Sequence, residues 1–476
     1  MRKRKYIGGK IIAVIQGLLS VLAIGLLLRL NVLPTVYLIT VVVVLVLLFL
    51  FAFFTQVSSK THAIGKVATV LLSILLAVGS WYLLETSNLI RNITGNEYKI
   101  DNIVAVVWAD DSARSLQDAA NYSFGILETL DRNKVDESIV KFKEELNREL
   151  AYTAYGDFRS MVDAFLSGEV QALIYNQAWN DSINEMEENF SESVRVLKSV
   201  EVKTEQEVVK STKDVTEEPF IVYISGNDQY GSIATTGRSD VNMLAAVNPE
   251  TRQILLVVTP RDYYIEFPGI TNGQKDKLTH AGNFGITASM AALENVYNIK
   301  IDHYLRLNFT SFVQIVDALG GVEVESETAF TTLHGGYTIT EGTNSMDGEK
   351  ALAFVRERKN LPGGDFTRGK NQQALLTAVI RKSMTPAILT GYLGILNGLE
   401  NNLETSISSE KLSALVRFQL SHGGDWNIVS VAASGTVSTE YCYSLGTSAS
   451  VVIPNEASVV EIRQLFEQLE RGMIMK

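Results

Sequence analysis

Three long apolar runs near the start of the chain limit its architecture more than any other feature. They extend from Ile11 to Leu28, from Val36 to Phe54 and from Val67 to Leu84, and none contains a charged residue. Each holds about 18 to 20 residues, enough for a helix to cross the roughly 30 Å hydrocarbon core of a bilayer. The alternative is a cleaved signal peptide followed by buried helices, but a signal peptide has one short apolar region. The runs therefore predict a membrane anchor of three transmembrane helices within residues 1–87.

Charge is divided unevenly between this anchor and the rest of the chain. Residues 1–87 hold eight of the 42 basic side chains and one of the 53 acidic ones, which leaves 34 basic and 52 acidic side chains beyond them. Five basic residues lie in the first ten positions, and Lys60 and Lys66 lie in the second loop. The positive-inside rule then places the N-terminus in the cytoplasm and everything after about Thr86 outside the cell. The acidic outer part disfavours binding to nucleic acid.

Some common site chemistries are excluded by composition. A single cysteine, Cys442, rules out a disulfide framework within the chain and a cysteine-rich metal site. The sequence contains no His-Glu-x-x-His pair, P-loop or Gly-x-Ser-x-Gly elbow. It therefore does not resemble a zinc protease, a P-loop ATPase or a serine hydrolase.

Residues 98–218 are predicted to form a first outer unit. Apolar periodicity predicts two strands and three helices, at 103–107 and 171–175 and at 135–151, 158–166 and 181–200. This mixture indicates a small α/β domain. It offers no nucleophile, metal cluster or glycine-rich phosphate loop, so it is interpreted as an accessory or spacer domain. The charged stretch 201–218, followed by Pro219, is predicted to be a linker.

Residues 219–476 contain the groups that could perform chemistry. Strands are predicted at 221–226, 243–247 and 254–258. Polar residues cluster beyond the ends of such strands in α/β active sites, and the ones found at these ends are Asp228, Arg238, Asp240, Arg261 and Asp262. His280, in contrast, is expected to cap or orient a loop.

A second group of arginines follows about a hundred residues later. The stretch 353–358 is interpreted as a strand, in which Arg356 and Arg358 share one face. A helix is expected to begin near Thr367, and Arg368 and Gln372 lie on one face of it.

Several arginines brought together would repel one another unless they bind a polyanion. A guanidinium fits phosphate oxygens two at a time. Carboxylates such as Asp228 and Asp240 repel phosphate, so they make sense beside it only if a hard cation such as Mg²⁺ lies between. The combination predicts a site for pyrophosphate or phosphoryl transfer. The alternative is a set of ordinary surface ion pairs, in which Glu357 and Asp262 neutralise neighbouring arginines.

Six motifs in order resemble the LytR-CpsA-Psr family, and the three spans with an accessory domain resemble its streptococcal capsule-type members. The motifs are Tyr223–Asp228, Arg238–Asn242, Thr259–Asp262, Lys275–Ala281, Phe354–Arg358 and Asp365–Gln373. The resemblance implies an α/β fold: three transmembrane helices, the accessory domain, and an α-β-α domain with a central mixed sheet and an apolar tunnel for a prenyl chain.

The resemblance also implies an activity and its residues. Family members are expected to move a glycosyl-phosphate polymer, of capsule or teichoic-acid type, from a polyprenyl-pyrophosphate carrier to peptidoglycan, with a pyrophosphatase side reaction. By position, Asp228 and Asp240 would hold Mg²⁺, Asp240 and Arg261 would be catalytic, and the pyrophosphate would be bound by Arg238, Arg261, Arg356, Arg358, Arg368 and Gln372. The alternative function is a regulator or attenuator that binds the lipid-linked polymer without turnover.

Overall fold

The computed structural model describes residues 2–56, 61–93, 98–205, 209, 211–227, 233, 237–383, 385 and 402–475. Its helices are α1 (Arg2–Leu30), α2 (Thr35–Thr55), α3 (His62–Ile93), α4 (Arg132–Leu146), α5 (Phe158–Leu166), α6 (Asn180–Met186), α7 (Phe190–Ser193), α8 (Leu278–Phe284), α9 (Ile286–Tyr297), α10 (Phe309–Ala318), α11 (Gly348–Arg356), α12 (Asp365–Ser383), α13 (Ser409–His422) and α14 (Glu456–Glu470).

The first three helices coincide with the three apolar runs. Each is long and apolar enough to cross a membrane, as the sequence predicts. Pro34 lies just before α2, where its missing N–H costs no helical hydrogen bond. Ala23, Leu45 and Leu76, one from each helix, are buried in a common apolar cluster. Most other apolar side chains of these helices face outward, as expected for helices surrounded by lipid.

The first outer unit is built on a five-stranded sheet. Its strands are β1 (Tyr98–Trp108), β2 (Ser123–Leu127), β3 (Ala151–Tyr155), β4 (Ala172–Asn176) and β5 (Val194–Glu205). Their order is β3-β2-β4-β1-β5, with β2 parallel to both of its neighbours and β1 antiparallel to both of its own. Apolar clusters cover both faces of this sheet, which confirms the predicted small α/β unit.

Two expectations for this unit are wrong. The helix expected at 181–200 is replaced by α6, the short α7 and the long edge strand β5. The chain favours a strand there because β-branched valines recur through 194–202, and β-branched side chains pack well on a pleated surface. Strand β5 also extends into the stretch expected to be a linker. Val215, further along that stretch, is buried against the second unit.

The second outer unit is built on a six-stranded mixed sheet. Its strands are β6 (Phe220–Gly226), β7 (Val241–Asn248), β8 (Gln253–Thr259), β11 (His303–Leu307), β16 (Leu403–Thr405) and β17 (Asn427–Ala432), in the order β16-β11-β6-β7-β8-β17. β11 is parallel to β6 and β17 is parallel to β8, whereas the remaining neighbours are antiparallel. The three strands predicted from apolar runs correspond to β6, β7 and β8.

Two helical layers enclose this sheet. Residues of α8, α9 and α14 pack on one face, and residues of α12 and α13 pack on the other. The arrangement confirms the predicted α-β-α fold with a central mixed sheet. Short hairpins lie outside it: β9 (Tyr264–Glu266), β10 (Lys275–Lys277), β12 (Val322–Ser326), β13 (Phe330–Thr331), β14 (Thr338–Ile339), β15 (Gly342–Met346), β18 (Gly435–Cys442) and β19 (Thr447–Pro454).

The strand expected at 353–358 is also wrong, because residues 348–356 form helix α11. Asp347 caps this helix by accepting a hydrogen bond from the backbone N–H of Lys350 at 2.9 Å. Ala351, Leu352, Ala353 and Phe354 are all buried, so burial does not alternate along this segment as it would along a half-buried strand. The backbone becomes extended only at Glu357. Arg356 therefore ends a helix, and Arg358 lies in the loop that follows.

Candidate functional site

Strand register brings Asp240 and Arg261 together. β7 and β8 are antiparallel with Asn242 opposite Thr259, so Asp240, two residues before Asn242, lies beside Arg261, two residues after Thr259. Pro260 has no N–H to continue the ladder, and the strand ends there in a turn that carries Arg261. Arg261 Nη1 donates to Asp240 Oδ1 at 2.6 Å.

A second carboxylate lies further from the same guanidinium. Asp262 Oδ2 is 3.8 Å from Arg261 Nε, too far for a good hydrogen bond. The expectation that Asp262 would neutralise Arg261 is therefore met only weakly, and Asp240 is the closer partner. Both carboxylates and the guanidinium are largely but not fully buried, with side-chain exposures between 12% and 20%.

Five of the eight predicted site residues line one cavity of about 240 Å³. These five are Asp240, Arg261, Arg358, Arg368 and Gln372. Arg368 and Gln372 lie one turn apart on α12, and both face the cavity as the helical spacing predicts. Further along α12, Leu375 packs into a hydrophobic core. We call this space the first cavity.

The loop between α11 and α12 shapes one side of the first cavity. Gly363 and Gly364 both line it and have φ angles of 83° and 56°, a backbone conformation that favours glycine. Glu357, which could have neutralised an arginine, instead accepts backbone N–H groups of Leu333, Arg358 and Asn360. Burial would raise the pKa of Glu357, but these hydrogen bonds outweigh it and lower the pKa. Its charge is thus held by the backbone and not by a guanidinium.

Arg238 lies beside the first cavity without lining it. Its side chain is only 10% exposed and its Nη1 donates to Glu185 of the first unit, with Asp181 Oδ2 at 3.9 Å from Nε. Burial lowers the pKa of Arg238, whereas Asp240, Glu185 and Asp181 raise it, and the net direction is upward. This predicted phosphate-binding arginine is therefore engaged by the first unit.

Arg356 is also placed elsewhere. Its guanidinium carbon lies 4.3 Å from the ring centroid of Phe309, in a cation–π contact. It is not among the residues that line the first cavity. The expectation that it shares a face with Arg358 fails, because it rested on a strand and the segment is a helix.

The residues predicted to hold a divalent cation are partly suited to it. Asp228 lies outside the described residues. Asp240 Oδ2 and Asn227 Oδ1 are buried and accept no hydrogen bond within the described part of the chain, and the pairing of β6 with β7 puts residue 227 next to residue 240. Unsatisfied buried oxygens of this kind suit a hard cation. Among the described residues there is no group of three or more acidic, histidine or cysteine side chains that could hold a metal.

Several residues around the site were not predicted. Ser450, Val451 and Val452 of β19 line the first cavity, although nothing in their local sequence marks the hairpin as part of it. Lys277 also lies close to the site. It belongs to the motif Lys275–Ala281, for which the sequence predicted no role in the site.

His280 fulfils its expected structural role near Lys277. It is fully buried and its Nδ1 lies 2.7 Å from Asp276 Oδ1. Burial would raise the pKa of Asp276, but His280 and Ser444 lower it. The pair holds the start of α8 next to the loop that carries Arg238.

Comparison with known proteins identifies the family. The model of the LytR_cpsA_psr family matches residues 184–458, more than half of the chain. The chain belongs to the LytR-CpsA-Psr family. The match begins within the first outer unit, before residue 219, and the predicted boundaries at 87, 98 and 218 remain predictions.

Two curated relatives in the LytR-CpsA-Psr family are named polyisoprenyl-teichoic acid–peptidoglycan teichoic acid transferase TagU. The one from Bacillus anthracis is 36% identical over 196 residues, which are 41% of this chain and 63% of that protein. The one from Enterococcus faecalis is 35% identical over 227 residues, 46% of this chain and 73% of that protein. The chain therefore spans less than two thirds of the first of these relatives. The crystal structure of Bacillus subtilis TagV matches this chain with a TM-score of 0.46 and 23% sequence identity. The match covers 54% of this chain and 99% of the TagV chain.

Proposed function

We propose that this chain is a membrane-anchored phosphotransferase that moves a glycosyl-phosphate polymer from a polyprenyl-diphosphate carrier to peptidoglycan. The observation that carries the proposal is the first cavity, in which Arg261, Arg358 and Arg368 accompany two carboxylates, Asp240 and Asp262, among the described lining residues. The excess positive charge favours an anionic ligand, and planar guanidinium groups suit phosphate oxygens. The names of the two TagU relatives support the substrate class.

The remaining lining of the first cavity suits the lipid part of such a carrier. Val437, which is 65% exposed, and the buried Val258, Val451 and Val452 line the cavity beside the guanidinium groups. An apolar chain attached to a diphosphate would bury hydrocarbon against these valines while its phosphates contact the arginines. This combination of charge and apolar surface separates the proposed ligand from a free nucleotide or a sugar phosphate.

The transfer step follows from these placements. A peptidoglycan hydroxyl oxygen attacks the phosphorus nearest the polymer, and the bond from that phosphorus to the bridging oxygen breaks. Polyprenyl phosphate leaves, and the hydroxyl proton passes to a carboxylate. Asp262 is proposed as this proton acceptor, since Asp240 is already bound by Arg261 at 2.6 Å. Arg261, Arg358 and Arg368 stabilise the charge that spreads over the phosphate oxygens. Attack by water would give the pyrophosphatase side reaction.

A magnesium ion is part of the proposal. Asp240 and Asp228 would hold it, and the unsatisfied buried oxygen Asp240 Oδ2 supports that assignment. When bound, Mg²⁺ would add positive charge beside the diphosphate. Activity is therefore expected to fall when a chelator removes divalent cations and to return when Mg²⁺ is restored.

The proposed location is the outer face of the cell membrane, with a cytoplasmic N-terminus. The basic start of α1 supports this orientation. The opposite ends of the helices contact the second outer unit: Arg417 Nη1 donates to Asn31 Oδ1 at 2.6 Å in the turn between α1 and α2, and Leu30 packs against Leu403. Peptidoglycan and the lipid-linked donor would both be accessible on that side.

The proposal is tested with the full-length protein in detergent micelles. Wild type receives a polyprenyl-diphosphate-linked glycan, peptidoglycan and Mg²⁺, and both released polyprenyl phosphate and peptidoglycan-bound glycan are measured. We expect Arg261→Ala to lower kcat/KM by about 10²- to 10³-fold, as for loss of a donor that stabilises transition-state charge.

The matched control is Arg132→Ala. Arg132 pairs with Asp136 on α4 of the first unit, and it does not line the first cavity. Loss of this exposed pair is expected to change activity by less than about twofold. If wild type binds the donor tightly but releases no polyprenyl phosphate under any divalent cation, the chain is a binding protein and the transferase proposal is wrong.

A further inference from the structure

A second cavity adjoins the first and is larger, with a volume of about 540 Å³. The two cavities share four residues: Arg261, Asp262, Arg358 and Ser450. All other residues that line the two cavities are different. The β18–β19 hairpin contributes to both cavities. Apart from it, the first cavity continues along α12 and the ends of β8 and β17, whereas the second continues toward the first outer unit. The shared residues therefore mark the boundary between two compartments of one site.

The first outer unit supplies one wall of this second cavity. Arg159 at the start of α5 and both Glu185 and Met186 at the end of α6 line it. The wall is fixed to the second unit by direct contacts: the backbone N–H of Arg159 donates to Leu445 O at 3.1 Å, and the rings of Trp179 and Phe284 meet edge to face at 5.3 Å. A spacer domain would not need to reach the site, so these contacts indicate a functional role for this unit.

Electrostatic contacts hold this wall at the site. Glu185 Oε2 accepts from Lys277 Nζ at 2.5 Å, and Glu185 Oε1 accepts from Arg238. Burial alone would raise the pKa of Glu185, but His280, Lys277 and Arg238 lower it to about 2. The carboxylate is therefore ionised at neutral pH, and it bridges two cations that belong to the second unit.

The residues that line the second cavity are chemically different from those that line the first. Thr439, Thr447 and Ser448 of the hairpin are hydroxyl-bearing residues of its lining, alongside charged residues of both units. Such a surface can donate and accept hydrogen bonds with a chain of sugar hydroxyls, and it offers little to a prenyl chain. The first cavity, by comparison, has valines beside its arginines.

We infer that the second cavity binds the glycan of the acceptor, with the first outer unit as one of its walls. The inference rests on the proposed function. A nucleophile attacks phosphorus in line with the leaving group, so with the prenyl phosphate in the first cavity the attacking hydroxyl enters from a different compartment. Asp262 lies at the boundary between the two cavities, where it can receive the proton of that hydroxyl.

The lone cysteine allows this inference to be tested without catalysis. Cys442 is fully buried, and burial raises the pKa of its thiol to about 12, so it reacts slowly with alkylating reagents. Full-length Ser448→Cys then carries one accessible thiol in the second cavity. Soluble peptidoglycan glycan fragments at about nine times their Kd should slow its alkylation about tenfold, because protection scales as one plus the ratio of ligand concentration to Kd.

The matched control is Thr436→Cys on the same hairpin. Thr436 is exposed, lines neither cavity and lies on β18 one residue before Val437. Its alkylation should not respond to the fragments. The inference is overturned if the fragments protect neither thiol or both equally, or if the lipid-linked donor protects the Ser448→Cys thiol and the fragments do not. In that last case the second cavity holds the polymer of the donor.

A kinetic experiment tests the same point independently. Ser448→Trp fills part of the second cavity, and we expect the apparent KM for the acceptor to rise about tenfold while the Kd of the lipid-linked donor changes less than about twofold. An unchanged acceptor KM contradicts the inference. A wild-type protein without turnover, in which the fragments still protect the Ser448→Cys thiol, would refute the proposed function and leave the acceptor site intact.

Discussion

At the scale of single residues, the site depends on which side chains neutralise which charges. Asp240 accepts a hydrogen bond from Arg261, and Glu357 accepts one from a backbone N–H group. Glu185 accepts hydrogen bonds from both Arg238 and Lys277. Arg261, Arg358 and Arg368 line the first cavity, Arg261 even though Asp240 holds it. Arg238, from a neighbouring motif, is held by Glu185 and does not line the cavity, so motif membership alone does not place an arginine there. Arg356, stacked on Phe309, illustrates the same point.

A buried histidine gives the folded protein a pH dependence that can be measured. The pKa of His303 is lowered from 6.5 to about 4, chiefly by burial and further by the positive charges of Lys411 and Lys213, whereas Asp302 raises it. The unfolded chain therefore binds more protons than the folded one between pH 6.5 and 4, and stability falls as pH drops through that window. Through this histidine, wild type is expected to lose on the order of 3 kcal/mol of unfolding free energy between pH 6.5 and 4. We expect His303→Gln to lack that loss.

Urea unfolding of the full-length protein at several pH values measures this effect. Many carboxylates also titrate in the window, so the relevant quantity is the difference between wild type and variant. The exposed His334 provides the control variant His334→Gln. Parallel stability curves for wild type and His303→Gln would show that another group is responsible.

At the scale of elements, the site is assembled where a helix touches a loop very closely. An added Cβ at Gly282 of α8 would lie 2.6 Å from Gly237 O and 2.7 Å from Ser239 N. Both atoms are backbone, so neither can rotate away. The loop they belong to carries Arg238 and leads into Asp240. The absence of a side chain at one position of α8 thus permits the placement of two site residues.

Gly282→Ala is therefore expected to destabilise the protein by about 1 to 3 kcal/mol, in the range of overpacked cores, and to lower transferase activity as the loop shifts. Denaturant unfolding and the polyprenyl phosphate assay measure the two effects. Gly156→Ala is the control, because a Cβ there has no neighbour within 4 Å. Equal stability of the two variants would contradict this account of α8.

At the scale of the whole molecule, the membrane helices and both outer units meet. Leu30 and Leu83, near the ends of α1 and α3, pack in one cluster with Leu403 of the six-stranded sheet. The first outer unit contacts the second next to its cavities, through Trp179 and Glu185.

The orientation of the molecule can be tested with a reporter that is active only outside the cell. We expect activity when the reporter follows Lys476 and none when it is inserted in the loop after Thr55. The basic residues at the start of α1 are the physical reason, since they resist translocation across the membrane. A reversed pattern would place both outer units in the cytoplasm and remove access to peptidoglycan.

The sequence alone determined features that depend on neighbouring residues. The lengths and polarity of three apolar runs predicted α1, α2 and α3, and short apolar runs predicted β6, β7 and β8. The spacing on α12 correctly placed Arg368 and Gln372 on one face. The strand expected at 353–358 failed because a short apolar segment fits either period, and only its capping by Asp347 and its burial distinguish a helix.

Which charges meet was decided by the tertiary structure. Asp240 reaches Arg261 through the register of two antiparallel strands, and Arg238 turns to Glu185, which lies far away in the sequence. The second cavity exists only because the first outer unit packs beside the hairpin of the second. Such contacts depend on strand order, register and docking between units, which have no local signature. Local pattern predicts long elements such as α1 to α3, whereas the partners of a charge depend on what else is folded next to it.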